Sequence, residues 1–150
     1  MAAGLPRSKA RRAAVQALYQ AQVNNEAPQK DALDFVTAEY ADKIDKKYFT
    51  TLIEGAIRYQ DQIDAELSQA VDRNLNAVDP VEISILRLAT FEFMHLPEIP
   101  YRVVLNEAVE LAKSFGGEQG HKYVNGVLDK MGARLRTPEY QAAKEARAKR

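Results

Sequence analysis

The segment from Asp79 to Met94 does most to limit how this chain can fold. Asp79 can cap a helix, Pro80 suits a first helical position, and Glu82 can bond back to complete a capping box. The apolar residues that follow point in nearly every direction around a helix: Ile83, Ile85, Leu86, Leu88, Ala89, Phe91, Phe93 and Met94. A helix without a polar face is buried, so this segment predicts a central helix inside the core.

Helical spacing of apolar residues recurs along the rest of the chain, and no long stretch alternates at the period of a strand. The predicted helices run from an N-cap at Ser8 to Asn24, from Lys30 to Ala41, from Asp45 to Val71 with a break at residues 59–61, from Pro100 to Gly116-Gly117, and from Gln119 to Leu135. The sequence therefore predicts an all-α fold of about seven helices in two packed helical subdomains.

The linker from Asn74 to Asp79 is the expected boundary within one domain that spans residues 1–150. It separates an N-terminal helical half, about 7–73, from a C-terminal half, about 79–136. A charged, Ala-rich tail follows over residues 137–150, where Pro138 separates it from the preceding helix, and we expect this tail to be loose or frayed.

The charges are segregated although they balance over the whole chain. The net charge is +4 over residues 1–25, −9 over 26–112 and +5 over 113–150. Basic ends around an acidic middle suggest a polyanion at one place and a different partner at another, but charged termini that only aid solubility are an equal alternative.

The composition indicates the cellular compartment in which the protein is found. It contains no cysteine, which excludes disulfides and thiolate chemistry, and no apolar run approaches the roughly 20 residues of a membrane span. The basic N-terminus lacks the apolar segment of a secretory signal, so a cytoplasmic protein is expected.

The usual signs of an enzyme or a cofactor site are weak. His95 and His121 lack a second metal ligand at helical spacing, so structural roles are favoured. Gly116-Gly117 lies between two helices rather than after a strand, which is typical of a turn. Glu107 and Glu110 could form a carboxylate pair, but a solvated helix face explains them better. We expect no catalytic activity, no cofactor and no metal.

Two segments predict contacts with nucleic acid. The first, Arg7-Ser8-Lys9-Ala10-Arg11-Arg12, places four cations near a helix start, where they oppose the helix dipole but can neutralise phosphates. The second runs from Phe115 to Gly126 and mixes aromatic, amide and basic side chains, the types that stack on RNA bases and contact their edges. Phe115 is more easily read as a core residue, whereas Tyr123 is expected to be partly exposed. Gly126 within a helix predicts close helix packing or a ligand that comes near.

Three stretches resemble the NusB family of transcription antitermination factors. They are residues 100–117 (PYRVVLNEAVELAKSFGG) with 121–130 (HKYVNGVLDK), residues 11–20 (RRAAVQALYQ) and residues 81–92 (VEISILRLATFE). The resemblance covers about residues 7–136, and its C-terminal block is the most specific because its asparagines, glycines and lysines are not demanded by packing alone. Family members often have phenylalanine where Tyr123 stands, Ser8 dilutes the N-terminal arginine run, and the tail after Pro138 lies outside the family core.

The resemblance implies an all-α protein that binds boxA RNA in nascent ribosomal RNA leaders. It also implies a heterodimer with NusE, a small-subunit ribosomal protein, and action with other Nus factors on the RNA polymerase elongation complex to suppress premature termination. The RNA-binding residues that it and the two basic segments indicate are Arg7, Lys9, Arg11, Arg12, Tyr19, Lys113, Phe115, Lys122, Tyr123, Asn125 and Lys130. Glu82 is expected on the side that faces NusE, which would give the acidic middle a basic partner.

Two other functions fit parts of the pattern. The same helical module resembles the N-terminal part of certain ribosomal RNA cytosine methyltransferases, but those need an α/β catalytic domain and a cysteine nucleophile that this sequence lacks. The other is a protein adaptor that binds no RNA, for which partner binding would be insensitive to salt.

Overall fold

The computed structural model describes residues 5–40, 43–115 and 118–149, and these ranges contain eight α-helices, a short 3-10 helix and no strand. The helices are α1 (Leu5–Val23), α2 (Lys30–Ala38), α3 (Lys46–Arg58), α4 (Gln60–Ala70), α5 (Pro80–His95), α6 (Tyr101–Phe115), α7 (Glu118–Leu135) and α8 (Thr137–Ala148), with the 3-10 helix at Leu75–Ala77 between α4 and α5. The predicted all-α fold is confirmed, with one α-helix more than expected.

Helix α5 is the central helix that the sequence predicts. It packs against α1, α3, α4, α6 and α7, and buries residues on every side. The Asp79 carboxylate caps it by accepting from the backbone N–H groups of Val81 and Glu82. The reciprocal bond of a capping box is not formed among the described residues. Instead the Glu82 carboxylate lies beside α7, 3.0 Å from where a Cβ would stand on Gly120.

The break between α3 and α4 falls at Tyr59, inside the predicted stretch. Gly55 explains the close fit of α3 on α5, because a Cβ there would stand 2.1 Å from the Phe91 ring. Tyr59 in turn stacks on His95 at a centroid distance of 3.9 Å, so His95 lies in an aromatic cluster at the end of α5.

Helix α1 begins three residues before the expected N-cap. Ser8 lies within the helix and donates a hydrogen bond to Glu107 on α6 instead of capping α1. At the other end, Asn25 adopts a left-handed conformation with φ 55°, which asparagine tolerates and which ends the helix as predicted. The predicted end of α6 at Gly116-Gly117 lies outside the described residues.

The tail after Pro138 forms an ordered helix, contrary to our expectation. Arg136 is buried just before α8 and donates to the backbone carbonyls of Glu92, Phe93, Leu96 and Ile99 around the end of α5. Glu139 accepts from the backbone N–H of Tyr101 at the start of α6, at 2.8 Å, and pairs with Arg136 at 2.7 Å. The start of α8 thus satisfies backbone groups of two other helices, which sequence periodicity alone does not reveal.

Candidate nucleic-acid interface

The N-terminal basic segment meets the C-terminal half of α6 although about 100 residues separate them in sequence. Arg12 donates to the Ser114 hydroxyl at 2.5 Å, and its guanidinium lies 4.6 Å from the Phe115 ring centroid. A groove of about 290 Å³ follows this junction, and Lys9, Arg12, Glu107 and Glu110 lie along it. We call it the α1–α6 groove.

A second groove, of about 350 Å³, lies between α6 and α7. Its lining is mainly polar and consists of Asn106, Val109, Glu110, Lys113, His121, Lys122 and Asn125. We call it the α6–α7 groove. It offers amide groups and cations together, and Nδ1 of His121 is buried without a hydrogen-bond partner among the described residues.

Glu110 lines both grooves, so they adjoin along α6. Its carboxylate lies 3.5 Å from the Lys113 ammonium group, and both side chains are at least half exposed. The combined surface therefore carries the cations Lys9, Arg12, Lys113 and Lys122 around one exposed carboxylate. Such a surface can attract a polyanion, and Glu110 acts against that attraction.

Arg11 does not lie on this surface, although the sequence suggested an RNA contact there. Its side chain is 4% exposed and binds Glu92 of α5 through Nε and Nη2, at 3.1 and 2.9 Å. It also donates to Glu107 at 3.1 Å and to the Tyr48 hydroxyl at 3.3 Å. Burial alone would lower the pKa of Arg11, but the hydrogen bond and charge of Glu92 outweigh it and raise that pKa. Arg11 is therefore a buried link between α1, α3, α5 and α6.

Arg7 and Tyr19 also lie outside the two grooves. Arg7 faces α3, with its guanidinium 4.6 Å from the Tyr48 ring centroid and 3.8 Å from the Asp45 carboxylate. Tyr19 is 37% exposed and lies about 15 Å along α1 from Lys9, at 1.5 Å per residue. One turn beyond it, Gln22 approaches Ser84 near the start of α5, so Tyr19 lies toward the Glu82 end of the molecule.

Tyr123 is half-buried, as expected, but it points away from Lys122 and Asn125. Arg73 covers its ring at 4.8 Å from the centroid, and its hydroxyl is buried without a hydrogen-bond partner among the described residues. Burial raises the pKa of Tyr123, and the nearby Asp72 and Glu82 carboxylates add to the shift while Arg73 opposes it. Lys130 is exposed two turns further along α7.

Arg73 is a residue that the sequence did not single out. It follows α4 in a short linker and pairs with its neighbour Asp72 at 2.8 Å. An isolated arginine in a linker gives no signal in a single sequence, because its contact with Tyr123 depends on how α4 and α7 pack.

Phe115 and Gly126 differ in what surrounds them. Phe115 is half-buried against the core and beneath Arg12, so it is largely a packing residue, as its apolar spacing suggested. Gly126 is exposed, and a Cβ there would meet nothing within 4 Å. Close helix packing is therefore not the reason for Gly126.

Two other kinds of feature are absent from the described residues. No group of three or more His, Cys, Asp or Glu side chains in the described ranges is arranged to hold a metal ion. No helix in these ranges is both long and apolar enough to cross a membrane.

Comparisons with known proteins identify the family of this chain. Residues 8–133 match the model of the NusB family. The chain is 48% identical over 136 residues to the transcription antitermination protein NusB of Nitrosococcus oceani, with 91% of each chain covered. It is 44% identical over 140 residues to that of Burkholderia mallei, with 93% of this chain and 97% of the relative covered.

Solved structures show the same fold. Thermotoga maritima NusB superposes with a TM-score of 0.78 at 29% identity, over 91% of this chain and 97% of that one. A structure of the antitermination factors NusB and NusE in complex with double-stranded RNA gives a TM-score of 0.74 at 28% identity, over 83% of this chain and 94% of that one. On the family match and on identities well above 30% over nearly the whole chain, this protein belongs to the NusB family.

Proposed function

We propose that this chain is a transcription antitermination factor that binds boxA-type RNA of nascent ribosomal RNA transcripts together with NusE. The assembled complex, with other Nus factors, acts on the RNA polymerase elongation complex and suppresses premature termination. The proposed role is binding without catalysis, in the bacterial cytoplasm. The names of the curated relatives and the solved NusB–NusE complex with RNA support this proposal.

The observation that carries the RNA-binding part is the meeting of three distant segments around two adjoining grooves. Lys9 and Arg12 come from α1, Lys113 from α6 and Lys122 from α7. Packing does not require four cations to line two adjoining grooves, and like charges on one surface repel each other. A bound polyanion compensates that repulsion and releases its own counterions, so the surface fits a nucleic acid.

The lining of the two grooves suggests which side chains contact phosphates and which contact bases. The four cations hold phosphates, while the amides of Asn106 and Asn125 in the α6–α7 groove can contact base edges. Gly126, beside Asn125, leaves room for the RNA backbone or a base to come close. In this proposal Arg11 organises the surface from beneath, since it holds Glu107 and fixes α1 against α6.

The predicted residues outside the grooves fit less direct roles. Tyr123 can contribute its exposed edge and hold Arg73 in place, and Phe115 can support Arg12. Arg7 and Lys130 are exposed cations at the margins, and Tyr19 lies toward the start of α5.

The proposed surface for NusE lies at the start of α5. Glu82 is half-buried there with Asp79 in the same helical turn, and both Glu82 and Asp72 lie near Tyr123. Burial raises the pKa of Glu82, and the charge of Asp79 adds to this shift while Arg73 opposes it. Carboxylates held in this way are stabilised when a basic partner binds, which fits a ribosomal protein.

A fluorescence-anisotropy titration tests the proposal. The protein is titrated against a boxA-like RNA and a scrambled RNA of equal length, with and without NusE, at two salt concentrations. We expect preferential, salt-sensitive binding to the boxA-like RNA that NusE strengthens. Equal binding of both RNAs would leave only a generic basic surface, and binding of NusE without any effect of RNA or salt would favour the adaptor function.

Variants make the titration specific to the grooves. Replacing Lys113 and Lys122 with Gln should make the salt dependence shallower by about 0.7 for each phosphate that the variant no longer neutralises, the value for single strands. The matched control replaces Lys46 and Lys47 with Gln, which removes the same charge from the exposed start of α3. If both pairs had the same effect, the grooves would have no special role.

A further inference from the structure

Helix α8 lies outside the part of the chain that the family model matches, and it buries none of its residues. Its hydrogen bonds and its ring contact with the rest of the protein come from its beginning, through Arg136, Glu139 and the edge of Tyr140 against Tyr101. The second half adds no buried residue to the core, although Arg147 lies near Tyr101, and packing does not explain its other charges.

The second half of α8 presents cations that have no ion-pair partner within the described ranges. Lys144, Arg147 and Lys149 are exposed there beside one carboxylate, that of Glu145. Arg102, at the start of α6, is likewise exposed and unpaired among the described residues, and it lines a shallow depression of about 270 Å³ with Ala142 and Ala143 of α8. We call these four cations the α8 surface.

The α8 surface is continuous with the proposed RNA site. Arg102, Asn106, Val109 and Lys113 follow one another at helical spacing along one side of α6. Asn106, Val109 and Lys113 line the α6–α7 groove, whereas Arg102 lies at the base of α8. The two ends of this path are about 17 Å apart, at 1.5 Å per residue.

We propose that the α8 surface binds the phosphates of RNA that flanks the segment held in the grooves. This inference rests on the proposed function, since it requires RNA in the α6–α7 groove. A strand that leaves this groove toward the start of α6 reaches Arg102 and then Lys144, Arg147 and Lys149. Binding there is independent of base sequence, because flexible side chains on an exposed helix offer charge without a shaped pocket.

The test compares three RNAs and two charge-matched variants by fluorescence anisotropy over a salt series. The short RNA contains only the boxA-like element, and each of two long RNAs carries added single-stranded nucleotides on one side of that element. The α8 variant is K144Q/R147Q/K149Q, since glutamine keeps a good helix propensity. The control variant is K43Q/K46Q/K47Q, which removes the same charge from exposed residues near α3.

We expect the α8 variant to bind the short RNA like the unmodified protein. On one of the two long RNAs, its plot of log affinity against log salt should be shallower by about 2, the contribution of three single-strand phosphate contacts. The control variant should keep the slope of the unmodified protein on every RNA. Circular dichroism checks that both variants remain helical.

Equal slopes for the α8 variant and the unmodified protein on both long RNAs would overturn this inference. So would an equal decrease for the α8 and control variants, which would show an effect of net charge only. Failure of the unmodified protein to prefer the short boxA-like RNA over its scrambled version would instead count against the proposed function.

Discussion

Arg11 of α1 and Glu92 of α5 form a buried two-point ion pair, with Nη2 2.9 Å from Oε2 and side chains only 4% and 3% exposed. The Tyr48 hydroxyl donates to the same carboxylate at 2.5 Å. Burial and the charge of Glu92 raise the pKa of Tyr48, so Tyr48 stays neutral and continues to donate at physiological pH. The pair therefore connects the first helix to the central one directly beneath the α1–α6 groove.

Removal of Arg11 should destabilise the protein rather than only weaken RNA binding. The Arg11→Ala variant leaves the Glu92 carboxylate buried without its partner, which costs about 3–5 kcal/mol. Arg11→Lys should recover only part of this, because an ammonium group cannot make the two-point contact. Urea unfolding monitored by circular dichroism measures the free energy of unfolding.

Two variants distinguish this structural role from a direct RNA contact. Arg11→Met combined with Glu92→Met removes both charges and should be clearly more stable than Arg11→Ala. Arg12→Ala, one residue along but on the surface, should change the free energy of unfolding by less than about 1 kcal/mol while reducing RNA affinity. An Arg11→Ala protein of unchanged stability that binds RNA poorly would contradict our assignment.

Arg11 also shows where sequence reasoning succeeds and where it stops. An apolar stripe predicts α1, and apolar residues on nearly every side predict the buried helix α5, whose caps at Asp79 and Pro80 are local signals. Arginines at successive positions look alike in a sequence, however, and point to different sides of a helix. Only the packing of α1 on α5 turns Arg11 inward and leaves Arg12 at the surface.

The same distinction explains α8 and Tyr123. The expectation of a loose tail followed from its composition, but Arg136 and Glu139 hold the start of α8 through backbone groups far away in sequence. The sequence predicts that Tyr123 and Asn125 belong to the same RNA surface because they are close together in the chain. Residues that are two positions apart on a helix differ by about 200° around its axis, so these two side chains face different neighbours.

Glu110 is expected to limit the affinity for RNA. It lines both grooves and lies 3.5 Å from the ammonium group of Lys113, so it repels phosphate and competes for that cation. Glu110→Gln should tighten RNA binding by about two- to fivefold, the size of an exposed charge pair. Anisotropy titration measures the change. The control is Glu54→Gln, which removes the same charge from an exposed position on α3. Weaker binding by Glu110→Gln would show that its carboxylate contacts the RNA favourably.

Two glycines of α7 provide a contrasting pair. Gly126 has open space where a Cβ would stand, so Gly126→Ala should stabilise the helix by about 0.5–1 kcal/mol. If RNA approaches there, the same change should reduce RNA affinity. At Gly132 a Cβ would lie 2.2 Å from the Tyr101 ring, so Gly132→Ala should be destabilising. Thermal unfolding and RNA titration of both variants separate packing from binding, and unchanged RNA affinity for Gly126→Ala would remove this glycine from the proposed site.

The link between Glu139 and α6 predicts a dependence of stability on pH. The hydrogen bond from the backbone N–H of Tyr101 and the neighbouring Arg136 lower the pKa of Glu139 below its ordinary value. A group whose pKa is lower in the folded state contributes stability at a pH above its unfolded value of about 4.3, and that contribution is lost as the pH falls through the folded value. Glu139→Gln should therefore lower the free energy of unfolding at pH 7, and the difference from the unmodified protein should shrink in acid.

The size of this effect is limited because the Glu139 side chain is 42% exposed and water screens its charge. We expect about 0.5–1 kcal/mol at pH 7, in the lower range of helix-capping contributions. Urea unfolding at pH 7, 5 and 3 measures it, and Glu145→Gln on the same helix is the control, since Glu145 is exposed and has no ion-pair partner among the described residues. A difference that persisted unchanged at pH 3 would mean that the carboxylate charge is not what joins α8 to α6, and the shape of the side chain alone would then have to account for the ordered helix.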